Sequence, residues 1–323
     1  MITHWSGQSQ ELEPIVKFLL AGPGIDVNAT HRYKSRTPLS FAAEKGYTAI
    51  VKLLLAVPGI DVNAADTFHG TTPLIFAARE GHVAIAKLLL AAPGISVDAP
   101  DVHSWAPLSF AAMNGHEAIA KLLLAAPGID VTAADEHVKT SFRFAVEGGH
   151  DAVVKLFLVA VPALDVNAPD ARKTTLLSAA AEKGHTAVAK LLLSAPGINV
   201  NASNTNGRTP LSFAAEEGHE AIAKLLLAAP GIDVNAGSTG ETALTWAVFA
   251  GKEAVVQELC ACPKIIVDVA VVKRCIEYLP LRHQLAVAAS KDDLEKCLRI
   301  LEKFVESKSK GGGAEDGEGI SGG

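Results

Sequence analysis

Internal repetition constrains this chain more than any single motif, because a unit recurring every ~20–50 residues sets the architecture before local chemistry does. Pro-Gly-Ile-Asp-Val-Asn-Ala or a close variant begins at Pro23, Pro58, Pro93, Pro127, Pro162, Pro196 and Pro230, with a decayed copy at Pro263. A second pattern, Thr-Pro-Leu-x-Phe-Ala-Ala-x-x-Gly-His, keeps step with it. Its glycines fall at Gly46, Gly81, Gly115, Gly149, Gly184, Gly218 and Gly251, so the period is about 34 residues.

Each unit reads as two helices and a connection. Thr37-Pro38 opens a short helix, since proline at the first turn gives up an N–H that has no partner there, and Gly46 closes it as a C-cap. Residues 48–56 place Ile50, Val51, Leu53, Leu54 and Leu55 on a broad apolar face with Lys52 left to water. Pro58-Gly59 breaks that second helix. Residues 61–70, rich in Asp, Asn, Ala and Gly, read as a strand-turn-strand link to the next unit. One helix pair cannot bury both its faces, so the units must stack.

The run Thr72-Pro73-Leu74-Ile75-Phe76-Ala77-Ala78-Arg79-Glu80-Gly81-His82, followed by residues 83–98, resembles the ankyrin repeat family, and the likeness covers about residues 11–267. The resemblance implies an all-α fold, a single curved helical solenoid of about seven units joined by short β-hairpins. The histidine of the family's Thr-Pro-Leu-His pattern is replaced by Ser40, Ile75, Ser109, Arg143, Ser178, Ser212 or Thr245. The unit at Thr140-Ser141-Phe142 lacks the proline and carries a bulky Phe142 where Leu is usual; it is expected to unfold first. Residues 1–29 are expected to form a partial N-terminal repeat, with Glu11–Ala21 an outer helix beside a degenerate partner, as in a chain cut from something longer. The array proper is expected at 30–268. Divergent capping helices follow at 269–307, around Leu285–Ser290 and Leu294–Val305. The Gly-rich tail 308–323 cannot bury a core and is expected to be disordered.

Composition narrows the function. Lys and Arg number 29 against 35 Asp and Glu, a net charge of −6, which gives no basic footprint for nucleic acid. Aromatics are 5% of a chain that is 49% hydrophobic, so the core is built from small and medium aliphatic residues suited to close helix packing. Apolar runs stop at Pro-Gly well short of the ~20 residues needed to cross a membrane, and residues 1–10 lack a signal-peptide pattern. Four cysteines, all at or beyond residue 260, make no disulfide framework and fit a reducing, intracellular setting, cytoplasmic or nuclear. The sequons at Asn28 and Asn201 are then expected to stay unmodified.

Chemical motifs are sparse. His82, His116, His150, His185 and His219 follow capping glycines at repeat spacing, as a structural position would produce. His69, His103 and His137 recur on three successive connections, but equivalent positions in stacked helices lie about 8–10 Å apart, too far to share a zinc ion with ~2 Å bonds. They read instead as a protonatable stripe in a binding face. Cys260, Cys262, Cys275 and Cys297 match no zinc spacing and read as buried thiols. The glycine tail formally fits G-x-S-x-G without the strand and helix a nucleophile elbow requires. Glu44, Glu147, Glu182, Glu216 and Glu217 precede capping glycines and read as a solvated face rather than catalytic pairs. No enzyme activity, cofactor or small-molecule ligand is expected.

In the family, the position ten before each capping glycine projects onto the binding face. Here it is Arg36, Thr71, Trp105, Lys139, Thr174, Arg208 or Glu241. Trp105 either stands exposed as a binding anchor or folds back over its neighbours. In the first case Phe68, Val102 and Met113 complete an apolar patch with it. Around the patch, Arg32, Tyr33, Lys34 and Arg36, then Lys139, Arg172, Lys173 and Arg208, are expected to form a basic edge. With His69 and His103 these residues define the expected binding surface. The chain is therefore expected to be a monomeric, non-catalytic scaffold or adaptor for a protein partner, not for nucleic acid or membrane. A regulatory or autoinhibitory segment of a larger protein and a metal site at the C-terminal cysteines are the alternatives.

Overall fold

The computed structural model describes residues 6–22, 24–30, 36–135, 137, 139–238, 240–268, 270, 272–274 and 290–311. The chain divides into two compact units, Met1–Leu164 and Asp165–Gly323.

The first unit opens with α1 (Ser6–Leu20), followed by the pairs α2 (Pro38–Lys45) and α3 (Thr48–Leu55), α4 (Pro73–Glu80) and α5 (Val83–Leu90), α6 (Pro107–Met113) and α7 (Glu117–Leu124), and α8 (Ser141–Glu147) and α9 (Asp151–Ala160). The second holds α10 (Leu176–Lys183) and α11 (Thr186–Leu193), α12 (Pro210–Glu217) and α13 (Glu220–Leu227), α14 (Ala243–Phe249) and α15 (Glu253–Ala261), then α16 (Lys291–Gly311). Within each unit the shorter, inner helices pack in one row, α2 through α8 and α10 through α14. The outer helices pack in another, α1 through α9 on the odd members and α11 through α15.

Local chemistry explains each pair. A threonine hydroxyl caps the inner helix by accepting from the backbone N–H three residues on, at Thr37, Thr72, Thr140, Thr175 and Thr209. Ala106 fills that position before α6 and caps nothing. The inner helix ends in a left-handed residue such as Gly81, φ 78°, and a Cβ there would come within 2.8 Å of the His116 ring. Glycine is thus required twice over, by conformation and by contact. The outer helices bury one stripe completely, Ile85, Ala86 and Leu89 on α5 and Ile119, Ala120 and Leu123 on α7. Each large member of such a stripe stabilises the fold by about 1.5–3 kcal/mol.

On the side of the Pro-Gly turns, the Asn of Asp-Val-Asn joins neighbouring repeats with both ends of its amide. Asn63 donates from Nδ2 to the Gly94 carbonyl (2.7 Å) and accepts at Oδ1 from Ser96 N–H (2.9 Å). Asn28 does the same with Gly59 and Asp61, Asn167 with Gly197 and Asn199, Asn201 with Gly231 and Asp233, and Asn235 with Lys264 and Ile266. The repeated Asn is therefore an inter-repeat staple.

Several expectations are corrected. Extended hairpins are nearly absent among the described residues: strands β1 (Gly237–Ser238) and β2 (Glu241–Thr242) pair antiparallel, and Ala134 bridges Thr140. The described connections at Asp66, Asp101, Asp135, Asp170 and Asn204 are tight turns organised by that Asp or Asn side chain. The outer helix expected at Glu11–Ala21 begins earlier, at Ser6, and runs through Pro14, occupying the place of the expected degenerate partner. Helix α16 runs to Gly311, so residues 308–311 are helical rather than disordered, with Lys308 Nζ 5.0 Å over the Phe304 ring. Residues 312–323 and the cap segment 285–289 lie outside the described residues. Ser290, which stands just before α16, accepts from Asp293 N–H as its N-cap (3.2 Å).

Candidate functional site

The turns ahead of the inner helices share one device, an acceptor side chain that gathers the N–H groups of the loop. Asp66 Oδ1 accepts from Phe68 and His69 N–H (3.2 and 2.7 Å) and Asp101 Oδ1 from His103 and Trp105 N–H (both 2.9 Å). Asp135 Oδ1 accepts from His137 and Lys139, Asp170 Oδ1 from Arg172 and Thr174, and Asn204 Oδ1 from Asn206 and Arg208. Neighbouring tips are joined by single backbone bonds, Val102 N–H to His69 O (2.9 Å) and Thr205 N–H to Arg172 O (3.0 Å). Sequence reasoning missed this role of Asp66, Asp101, Asp135, Asp170 and Asn204. Their signal was present, an Asp or Asn six or seven residues before α4, α6, α8, α10 and α12.

The position ten before the capping glycine is less exposed than expected, with Arg36, Trp105, Lys139 and Arg208 half-buried and none of the seven fully exposed. Thr71, Thr174 and Glu241 are buried. Trp105 is half-buried: its ring lies 5.6 Å from Phe110 and 5.0 Å from Phe144, both edge-on, and its indole Nε1 donates to Asp135 Oδ2 (3.2 Å). The tryptophan thus bridges two repeats, and the folded-back alternative is the one observed. Met113, at the end of α6, is half-buried, and its carbonyl is bonded by the His150 ring (2.8 Å).

Among the described residues of the basic edge, Arg36, Lys139 and Arg208 are half-buried. Arg36 lies 4.4 Å over the Phe76 ring and pairs with Glu44 (3.0 Å) and Asp66 (3.5 Å). Arg208 is sandwiched between Phe213 (4.0 Å) and Trp246 (4.2 Å) and pairs with Glu216. Lys139 pairs with Glu147 (2.9 Å). In each case the cation meets the carboxylate eight residues on, so Glu44, Glu147 and Glu216 neutralise the edge and are not the freely solvated face expected. A half-buried cation on an aromatic ring gains both quadrupole attraction and stem packing. Arg172 and Lys173 are exposed. Tyr33, with Arg32 and Lys34, lies outside the described residues.

What stays on the surface is smaller than expected. Phe68 is 68% and Val102 60% exposed, on tips locked together by the His69–Val102 bond, with exposed His69 and His103 beside them. The Phe68 and His69 rings meet edge-on at 5.0 Å. A second apolar surface went unforeseen. Ile15 and Leu19 of α1 are 55% and 49% exposed, although the matching Ile50 and Leu54 of α3 are buried beneath α2. Phe41 on α2 is 49% exposed where Phe76, Phe110 and Phe144 are buried. Phe41 lines a groove of about 730 Å³ with Pro38, Thr37, Arg36 and Lys45. The missing unit pattern in residues 1–10 was the available signal.

The histidines after the capping glycines are structural. Ring Nε2 atoms of His82, His116, His150 and His219 bond the carbonyls of Glu44, Arg79, Met113 and Glu182 in the preceding repeat, at 2.8–3.2 Å. Cys260 and Cys297 are buried, and desolvation pushes both thiols up to about 11. Cys275 lies outside the described residues. Among the described residues, no three His, Cys, Asp or Glu side chains are grouped to hold a metal ion. No helix there is long and apolar enough to cross a membrane.

A family model for ankyrin repeats (3 copies) matches residues 4–101, 66–135, 142–238 and 178–270. No curated protein matches the chain. Among solved structures, the ankyrin repeat domain of human ASB11 is 27% identical, over 69% of this chain and 97% of that one, with a TM-score of 0.60. The ankyrin repeat domain of Bcl-3, a member of the IkappaB protein family, is 26% identical over 65% and 92%, with a TM-score of 0.57. The family model covers well over half of the chain, and the chain belongs to the ankyrin repeat family.

Proposed function

We propose that this protein is a non-catalytic scaffold that binds a protein partner through the adjacent tips carrying Phe68, His69, Val102 and His103. Ankyrin repeats are in general protein–protein interaction modules. The observation that carries the reading is the exposure of Phe68 and Val102 on tips whose backbones are already satisfied, where neither side chain serves the core. Large apolar groups held rigidly in water favour burial against a partner, and the imidazoles of His69 and His103 add hydrogen-bonding groups at the rim. The partner is a protein rather than nucleic acid or membrane, and the scaffold acts as a monomer inside the cell, with the array at residues 30–268. Arg36, paired with Asp66, and Trp105, bonded to Asp101, support these two tips from behind.

The test is affinity capture from a source lysate with the wild-type chain and a Phe68→Ser, Val102→Ser variant of unchanged helical content. A protein retained by the wild type and lost by the variant supports the tip site. Equal retention by both places the site elsewhere on the molecule. Exposed Ile15, Leu19 and Phe41 favour a second reading, a regulatory segment that docks against another part of a larger protein. An Ile15→Asp, Leu19→Asp variant that loses the retained protein, while the tip variant keeps it, would select that reading.

A further inference from the structure

The Asn staple is interrupted twice within the first unit, at Asp98 and at Thr132, and Asp98 alone puts an ionisable group there. Asp98 occupies the register of Asn28, Asn63, Asn167, Asn201 and Asn235. Its Oδ2 accepts from Asp130 N–H (2.8 Å), as the amide oxygens do at the other links. Its Oδ1, the counterpart in an aspartate of the asparagine amide nitrogen, is buried with no hydrogen-bond partner among the described residues. A carboxylate has no hydrogen to give. The carbonyl of Gly128, equivalent to those of Gly94 and Gly197, therefore lacks the side-chain donor that the Asn links supply.

We propose that Asp98 is a proton-operated staple between the turns that follow α5 and α7, closed when its neutral carboxyl donates from Oδ1 to the Gly128 carbonyl and open when the carboxylate forms. The surroundings favour the neutral acid in the fold. Burial holds the Asp98 carboxyl above its ordinary value of 3.8; the Asp130 N–H bond opposes this, and the Asp130 charge adds to it. Asp130 itself is held below 3.8, chiefly by the Thr132 hydroxyl (2.7 Å), so it stays charged while Asp98 takes a proton. Asp130 is the one charged side chain acting on Asp98 among the described residues. On its other flank the turn is held by the neutral amide of Asn63.

The sign follows from linkage. A carboxyl whose folded pKa is raised binds more protons in the native than in the unfolded chain. Its stabilising contribution is fully present below about 3.8 and is lost as pH rises through the higher folded value. At neutral pH the staple is open and a carboxylate oxygen is left buried and unpaired, which costs stability. Acid closes it.

Thermal unfolding of the full chain and of Asp98→Asn, at pH 7 and pH 4.5, together with a ¹³C NMR titration of the wild-type Asp98 carboxyl, tests this. The substitution restores the amide already used at five sites, and it is expected to raise Tm by roughly 2–4 °C at pH 7. The gain is expected to be smaller at pH 4.5 than at pH 7, and the wild-type titration midpoint to lie above 3.8. A gain that is the same at both pH values, no gain at pH 7, or a midpoint at or below the ordinary value would each overturn the proposal. The titration decides the matter alone if the variant does not fold.

Discussion

At the scale of single residues, the positions that looked most like a binding surface turn out to hold repeats together. Trp105 meets Phe110, Phe144 and Asp135, so Trp105→Ala is expected to destabilise by about 2–4 kcal/mol in urea titration, somewhat under the range for a fully buried Trp. Phe68→Ala and Val102→Ala are expected to stay within about 0.5 kcal/mol of wild type, as exposed positions do. That contrast separates a packing residue from a recognition residue without knowledge of the partner. Arg208 sits between Phe213 and Trp246 with Glu216 in reach, and Arg208→Lys keeps the charge but loses the planar stack. A loss of about 1 kcal/mol is expected from the same titration. At Cys260 and Cys297, burial favours the neutral thiol. Their stabilising contribution is present below about pH 9 and is lost as pH rises toward 11. Thiol reagent at pH 7.5 is expected to label neither before unfolding, and rapid labelling of the native chain would contradict their burial.

At the scale of elements, the helices are short, and eight residues such as Pro73–Glu80 cannot hold a helix in isolation. Caps and packing hold them. Thr72 caps α4 and Thr140 caps α8, whereas Ala106 leaves the first turn of α6 without a side-chain acceptor. Ala106→Thr is expected to add about 1 kcal/mol in urea titration, and no gain would mean that water already satisfies those N–H groups. The helix pairs, their caps and their Pro-Gly ends were legible because Thr, Pro and Gly act locally on the backbone. The connections were misread as strands because Asp, Asn, Gly and Ala permit both a hairpin and an Asx turn. Asp66, Asp101 and Asp135 choose the turn by collecting the N–H groups of their own loops.

At the scale of the molecule, the Asn staples of residues 28 and 63 and of 167, 201 and 235 are interrupted at Asp98 and Thr132, the latter folding its hydroxyl onto Asp130. The same stretch holds the unit around Phe142, which lacks the opening proline. Phe142 itself is fully buried against Phe157 at 5.3 Å, so the bulky residue is packed rather than strained. Any lower stability of this region is therefore expected to come from its altered staples at Asp98 and Thr132. Amides in residues 130–164 are expected to exchange at least about tenfold faster than those in 176–227, and uniform protection would contradict this.

Periodicity by itself determined the fold class, the helix pairs, the capping glycines and the structural histidines, because each depends on residues close in sequence or on a register repeated identically along the chain. Tertiary structure alone decided which side chains remain on the surface. Trp105, Arg36 and Arg208 are exposed or buried according to the ring that the next repeat presents, Phe144, Phe76 or Trp246. Phe68 and Val102 remain in water because no such ring reaches them.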